Sequence, residues 1–322
     1  MIPAKDCFEP QTLQAAGARL RAARFGADPA KAERGVCVLL NGQTEFIEKY
    51  FEVIDELRGR GFAVAALDWR GQGGSDRLLS DRRKAHIEDF SAYDQDLGTV
   101  MREVVAPLTE ALKVRPLVMA HSMGGNILLR RLHDVANEFA AAILCAPMLG
   151  INGRGTPWWV VEKIAHQLNR KAPSPDYVWG MADRDQLKLS FAGQIVTSDP
   201  ARYARTQALL AADPELRLNG PTWGWLGAAI NAIALTRSPG YAETIATPCL
   251  FFGAGRDRVC DTESVRIFAE RMPNAEFVEI ADAEHEILME RDVFRAQLWS
   301  AFDAFIKEKC PGSFPPGHGF QS

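Results

Sequence analysis

Six short apolar runs, rich in Val, Ile and Leu and without polar alternation, constrain this chain most. They are VCVLLN (36–41), FAVAALD (62–68), PLVMAHS (116–122), AAILCAPM (141–148), TPCLFFGAG (247–255) and AEFVEIAD (275–282). A strand with one solvated face alternates, whereas a strand buried on both faces does not, so these runs predict a parallel sheet covered by helices. Helical patterns lie between them. EFIEKYFEVIDELRGRG (45–61) places Phe46, Tyr50, Val53, Ile54 and Leu57 on one face and ends at Gly59 and Gly61, as a C-capped helix does. HIEDFSAYDQDLGTVMREVV (86–105) and residues 126–132 fit the same role. Repeated β-then-α order predicts an α/β doubly wound, mostly parallel sheet.

The alternation stops between residues 149 and 240, an interval with five of the seven tryptophans (Trp158, Trp159, Trp179, Trp223, Trp225) and helical periodicity only. WWVVEKIAHQL (158–168) puts Trp158, Val161, Ile164, Ala165 and Leu168 on one stripe. The expected organisation is a core from 1–148 and 241–322 with a helical cap, or lid, inserted at 149–240. A loose Gly/Pro tail occupies 311–319.

Composition narrows the class. A net charge of −4 offers no broad basic surface, so nucleic acid is not expected as a partner. No run reaches the ~18 apolar residues of a membrane span, and MIPAKDCFEP carries no apolar stretch behind a positive region, so no secretory signal is expected. Cys7, Cys37, Cys145, Cys249, Cys260 and Cys310 form no C-x-x-C pair. Reduced, mostly buried thiols of a cytoplasmic protein are the reading, rather than metal or disulfide roles.

Of the twelve serines, Ser122 alone has small residues at both −2 and +2, in AHSMGG. That pattern by itself arises by chance in roughly a quarter of chains this long. Its context is more specific: an apolar strand precedes it and Gly124-Gly125 opens an amphipathic helix, the strand–turn–helix of a nucleophile elbow. The bland alternative is a serine that caps a helix. A serine nucleophile needs a histidine base oriented by a carboxylate. In a doubly wound sheet these groups belong on loops at the carboxyl ends of strands.

Among six histidines, His285 follows the last apolar run in ADAEHEILMERD, where the base of a Ser…Asp…His order belongs. A zinc H-E-x-x-H helix is excluded there by Met289. His121 adjoins the serine, points away from it and supports the elbow. His133 and His166 lie on helix faces, and His318 lies in the tail. Asp257 follows TPCLFFGAG and is the expected acid, Asp282 is the reserve, and Asp261 reads as a helix cap. The oxyanion donors expected are the backbone N–H groups of Met123 and of Gln43, in the loop Asn41-Gly42-Gln43-Thr44-Glu45. DWRGQGGSDR (68–77) lacks the spacing of a dinucleotide or phosphate loop and reads as a tight turn at the rim of the site.

With LNGQTEFIEKY, LDWRGQGGSDR, AHSMGG, CAPM, TSDP…GPTWGW, GAGRDRV and AEHEIL assembled, the chain resembles the serine α/β-hydrolases. Within them it is similar to the bacterial lysophospholipase and monoacylglycerol lipase subgroup, related to serine aminopeptidases. The resemblance implies a nucleophile, acid and base at Ser122, Asp257 and His285, and oxyanion donors at Gln43 and Met123. It also implies a helical cap after the strand AAILCAPM. The family usually carries His-Gly where this chain has Asn41-Gly42, and AHSMGG with alanine first is itself typical of the lysophospholipase branch.

The expected activity is hydrolysis of carboxylic esters of lipid-like substrates through an acyl-enzyme, with no metal or organic cofactor. The alternatives are a general carboxylesterase, thioesterase or aminopeptidase of the same fold, and a non-catalytic binding protein. The tryptophan-rich cap suits an acyl chain, or simply packs a small helical unit. Cytoplasmic location with peripheral contact at the inner membrane face, through Trp158 and Trp159, is the expectation; oligomeric state is left open.

Overall fold

The computed structural model describes residues 3–28, 34–152, 156, 158–182 and 185–310; the tail at 311–319, with His318, lies outside them. In chain order the strands are β1 (Pro10–Ala15), β2 (Ala18–Phe25), β3 (Gly35–Leu40), β4 (Phe62–Asp68), β5 (Lys84–Ala85), β6 (Leu117–His121), β7 (Ala141–Cys145), β8 (Gly220–Pro221), β9 (Cys249–Ala254) and β10 (Ala275–Ile280). The α-helices are α1 (Phe51–Gly59), α2 (Ser91–Val100), α3 (Ala106–Leu112), α4 (Met123–Asp134), α5 (Trp158–Leu168), α6 (Pro200–Ala212), α7 (Trp223–Thr236), α8 (Thr262–Arg271) and α9 (Asp292–Lys309).

Eight strands form one sheet in the order β1-β2-β4-β3-β6-β7-β9-β10. From β4 to β10 all neighbours are parallel, while β2 pairs antiparallel with β1 and β4. The six apolar runs are thus the six parallel strands. Successive residues of the first five enter opposite cores; the sixth run, β10, lies at the sheet edge and is only partly buried, with Glu276 and Glu279 exposed, so it is not covered on both faces as expected. Val36, Val38 and Leu40 join Val118, Ala120, Leu144 and Phe251 on one face. Cys37 and Leu39 join Leu117, Met119, Ile143 and Phe252 on the other. Helices α1 and α9 cover the second face, through Val53, Ile54, Leu57, Leu298, Phe302 and Ile306. Helices α2, α3, α4 and α8 cover the first, and α7 packs on α4 outside them.

Strand β3 lies between β4 and β6, so the chain runs outward to β4 and then returns to β6 on the opposite side. The sheet therefore reverses its winding at β3/β6, the position where open α/β sheets leave a crevice at strand carboxyl ends. Residues 41–45 follow β3 and Ser122 follows β6, so both open on that crevice.

Several elements differ from the sequence reading. The β1–β2 hairpin was absent from it; the strands alternate and close through Gly17 at φ 79°, a pattern that single-faced edge strands produce. The helix expected at 86–105 begins at Ser91 and continues through a wide π-type turn (Met101–Val105) to Leu112. The helix expected from 45 begins as a 3-10 turn, Ile47–Tyr50, before α1. Among the described residues between β7 and β9, the main elements are α5, α6 and α7, and short extended pieces also pair: β8 with β5, Ile151 with Cys260 and Tyr177 with Thr222. Helix α5 spans 158–168 as expected, but Leu168 is 41% exposed and falls off the predicted stripe.

Candidate active site

Strand β6 ends at His121, and helix α4 starts at Met123, leaving Ser122 alone in the turn at φ 51° and ψ −117°. A positive φ is costly for a side-chain-bearing residue. Backbone bonds hold it: Ser122 N–H donates to the Cys145 carbonyl, and the Ser122 carbonyl accepts from Gly125, Asn126 and Met148 N–H. The flanking glycines explain why the turn can be so tight. A Cβ on Gly124 would lie 2.6 Å from the Asn41 carbonyl oxygen and 2.8 Å from that of Leu40; one on Gly125 would lie 2.6 Å from Pro147 Cβ. At −2 the alanine fits, since Ala120 is part of the packed core. Gly124→Ala is expected to cost about 1–3 kcal/mol, because its obstacles are backbone atoms; urea unfolding checks it.

Asp257 and His285 follow β9 and β10 and converge on this turn. His285 Nε2 lies 2.9 Å from Ser122 Oγ, and His285 Nδ1 lies 2.7 Å from Asp257 Oδ2. Asp257 Oδ1 accepts from Val259 and Cys260 N–H, each at 2.8 Å. Burial pushes the Asp257 carboxyl up, but the adjacent His285 and these N–H donors outweigh it and hold Asp257 below its ordinary value. With Asp257 ionised, Nδ1 carries the imidazole proton and Nε2 is free to accept from the serine hydroxyl. Asp282, the reserve acid, is 60% exposed and pairs with Arg256 instead. Asp261 caps α8.

The loop after β3 closes on the same turn, and a Cβ on Gly42 would lie 3.1 Å from Ser122 Cβ. Gly42 N–H donates to Glu45 Oε2 and Thr44 N–H to Gln72 Oε1. The N–H groups of Gln43 and Met123 have no acceptor among the described residues. That leaves two donors beside the serine, as an oxyanion hole requires.

Beneath the turn lies a buried charged group that residue spacing did not reveal. Glu45 takes bonds from Gly42 N–H, Tyr50 hydroxyl, Lys49 Nζ and His121 Nδ1. Lys49 also pairs with Glu286, and His121 Nε2 reaches the His285 carbonyl at 3.3 Å. His121 thus points away from Ser122 and steadies the loop of the other histidine. Burial raises the Glu45 carboxyl, yet Lys49 and His121 hold it well below its usual range. Glu290 fixes that loop from the far side, accepting from Ser198 N–H, Ser198 hydroxyl, Glu284 N–H and Arg291 N–H. Gln72 and Glu290 carry no local signal, because they grip backbone atoms and a remote serine. Glu45 does carry one, the i,i+4 spacing to Lys49, but that spacing is usual on exposed helix faces and does not announce burial. The remaining histidines lie elsewhere: His86 bonds Thr222, His133 bonds Asp134 and stacks on Tyr241, and His166 is exposed.

Comparison with known proteins identifies the family. The serine aminopeptidase, S33, family matches residues 31–292. Lysophospholipase L2 of Escherichia coli (strain K12) is 33% identical over 298 residues, covering 89% of this chain and 85% of that protein. The probable lysophospholipase L2 of Haemophilus influenzae is 26% identical over 306 residues, covering 95% and 94%. A soluble variant of monoglyceride lipase from Saccharomyces cerevisiae, solved with a substrate analog, superposes with a TM-score of 0.75 at 20% identity, covering 94% of this chain and 96% of that one. With a doubly wound sheet and a strained serine at its switch point, the chain belongs to the serine aminopeptidase, S33, family and has the α/β-hydrolase fold.

Proposed function

We propose that this ester hydrolase cleaves lipid-like carboxylic esters, lysophospholipid or monoacylglycerol, through an acyl-enzyme on Ser122. The supporting observation is the hydrogen-bonded series Ser122–His285–Asp257, at 2.9 and 2.7 Å, beside two N–H groups without acceptors. In this reading Ser122 Oγ attacks the ester carbonyl while its proton passes to His285 Nε2. The Gln43 and Met123 N–H groups receive the oxyanion, and Asp257 stabilises the imidazolium. His285 then protonates the departing alcohol and later takes a proton from the water that releases the fatty acid. The curated relatives at 33% and 26% identity carry lysophospholipase names, which favours a single-chain lipid ester.

Residues 149–240 act as a cap over the site. The segment is tied to the core by Arg202 of α6, which pairs with Glu52 and Asp292, and by Thr197, whose hydroxyl donates to the Met289 carbonyl. Turnover of lysophosphatidylcholine, monoacylglycerol, short p-nitrophenyl esters and an aminoacyl anilide ranks the substrate classes. Lipid esters are expected to lead in kcat/KM, and preference for the anilide would overturn the lipid reading.

Among the described residues no helix is long and apolar enough to cross a membrane. Contact with a lipid surface through the cap is supported by Trp159, 60% exposed with Lys163 Nζ 4.9 Å from its ring, and Trp179, 69% exposed. Trp158, paired with Trp159 in the sequence reading, is half-buried. Tryptophan and lysine together suit the interface of an anionic bilayer. Co-sedimentation with anionic vesicles is expected for the wild type and weakened in the Trp159→Ser/Trp179→Ser double variant. A wild type that stays in the supernatant removes this part of the proposal.

A further inference from the structure

The turn carrying Gln43 is held in a conformation that its own sequence disfavours. Thr44 stands at φ 65°, a left-handed backbone that a β-branched residue rarely adopts. Such strain persists only where the surroundings over-determine it. Here Glu45 holds the Gly42 end, and a side chain from the loop after β4 holds the rest. Gln72 is 2% exposed, and its Oε1 accepts Thr44 N–H at 3.2 Å. Its Nε2 donates to the Gly42 carbonyl at 2.7 Å and the Glu45 carbonyl at 3.0 Å, with Asn41 Oδ1 at 3.3 Å. Asn41 is anchored in turn: its Nδ2 donates to the Leu67 carbonyl and its own carbonyl accepts from Trp69 Nε1.

The consequence for the turn is specific. The N–H groups of Gly42 and Thr44 are taken by buried side chains, Glu45 from one side and Gln72 from the other. Of the three backbone N–H groups, only that of Gln43 between them is left for an incoming oxygen. Without the Gln72 amide, Thr44 could relax to a negative φ by rotating the neighbouring peptides, which would turn this donor away from Ser122. We propose that Gln72, braced by Asn41, is a positioning residue that keeps the Gln43 N–H aimed as an oxyanion donor before substrate arrives. This rests on the proposed role of Gln43. A donor that is already oriented stabilises the transition state more than the ground state, so the effect belongs in kcat rather than in KM.

The test compares wild type, Gln72→Leu and Gln72→Glu on a p-nitrophenyl ester, with urea unfolding to establish that each is folded. Gln72→Leu removes all four contacts and is expected to lose about 100-fold in kcat with KM within about threefold. The pH profile of its kcat/KM should keep the wild-type shape, since the Ser122–His285–Asp257 contacts are untouched. Gln72→Glu keeps the acceptor for Thr44 N–H but loses the amide donors, and should fall about tenfold in kcat. Thr44→Gly removes the strain that drives relaxation, so it should restore several-fold of the lost kcat in the Gln72→Leu background and change little alone. A folded Gln72→Leu with wild-type kcat, or a loss confined to KM, overturns the proposal. If Gln72→Leu does not fold, kcat of Gln72→Glu decides by the same criterion. Fluorophosphonate labelling separates the two levels: labelled wild type with unimpaired Gln72 variants removes the clamp alone, and unlabelled wild type removes the proposed site and the clamp together.

Discussion

Ser122→Ala is expected to abolish fluorophosphonate labelling and to lower kcat on a lipid ester by about 10⁵–10⁶-fold, the cost of removing a nucleophile whose partners act only through it. The variant should stay folded, because the turn is held by backbone bonds to Cys145, Gly125, Asn126 and Met148 and not by the hydroxyl. What remains would be the contribution of binding and of the Gln43 and Met123 N–H groups, which act on any attacking water. The comparison is made on the purified variant with long incubations, alongside the unfolding curve. Activity within about tenfold of wild type in a folded Ser122→Ala protein would refute the acyl-enzyme proposal.

Asp257→Asn is expected to lose about 10⁴-fold in kcat, with Asp282→Asn within about twofold of wild type. The asymmetry follows from position. Asp257 Oδ2 meets His285 Nδ1 at 2.7 Å, whereas Asp282 is exposed and paired with Arg256. An asparagine can still accept Val259 and Cys260 N–H through its oxygen, so the loop should keep its shape. Its amide nitrogen toward His285 favours the tautomer that protonates Nε2, which then cannot take the serine proton. Equal losses in both variants, or a larger one in Asp282→Asn, would move the acid to the other strand end.

The parallel core was legible from burial alone. Runs such as FAVAAL and AAILCAPM carry apolar residues at every position, so both faces of each strand must be covered. The β1–β2 hairpin escaped this reasoning, because QTLQA and ARLRAARF alternate and look like surface chain until β4 offers an edge to pair with. The choice between Asp257 and Asp282 was made from strand ends, which is a statement about topology. The distances that distinguish them depend on how β9 and β10 lie side by side.

Other parts of the site could not be read in advance. DWRGQGGSDR was legible as a tight turn at the rim, but the use of its Gln72 to grip residues 42–45 was not. The two segments are about 30 positions apart, and no propensity or spacing joins them. Glu45 and Lys49 are joined by i,i+4 spacing, but nothing in the sequence joins them to Glu286 or His121, with which they form one buried charged group.

The sequence by itself determined the layered α/β architecture, the strained serine turn, and the order of serine, acid and histidine along the chain. These depend on local backbone chemistry and on apolar periodicity, both carried by neighbouring residues. Tertiary structure alone decided which aspartate faces His285, how the Asn41–Glu45 turn is held, and which tryptophans remain outside. Each of those depends on atoms brought together from separate strand ends at the β3/β6 reversal, where geometry follows from packing rather than from sequence neighbours.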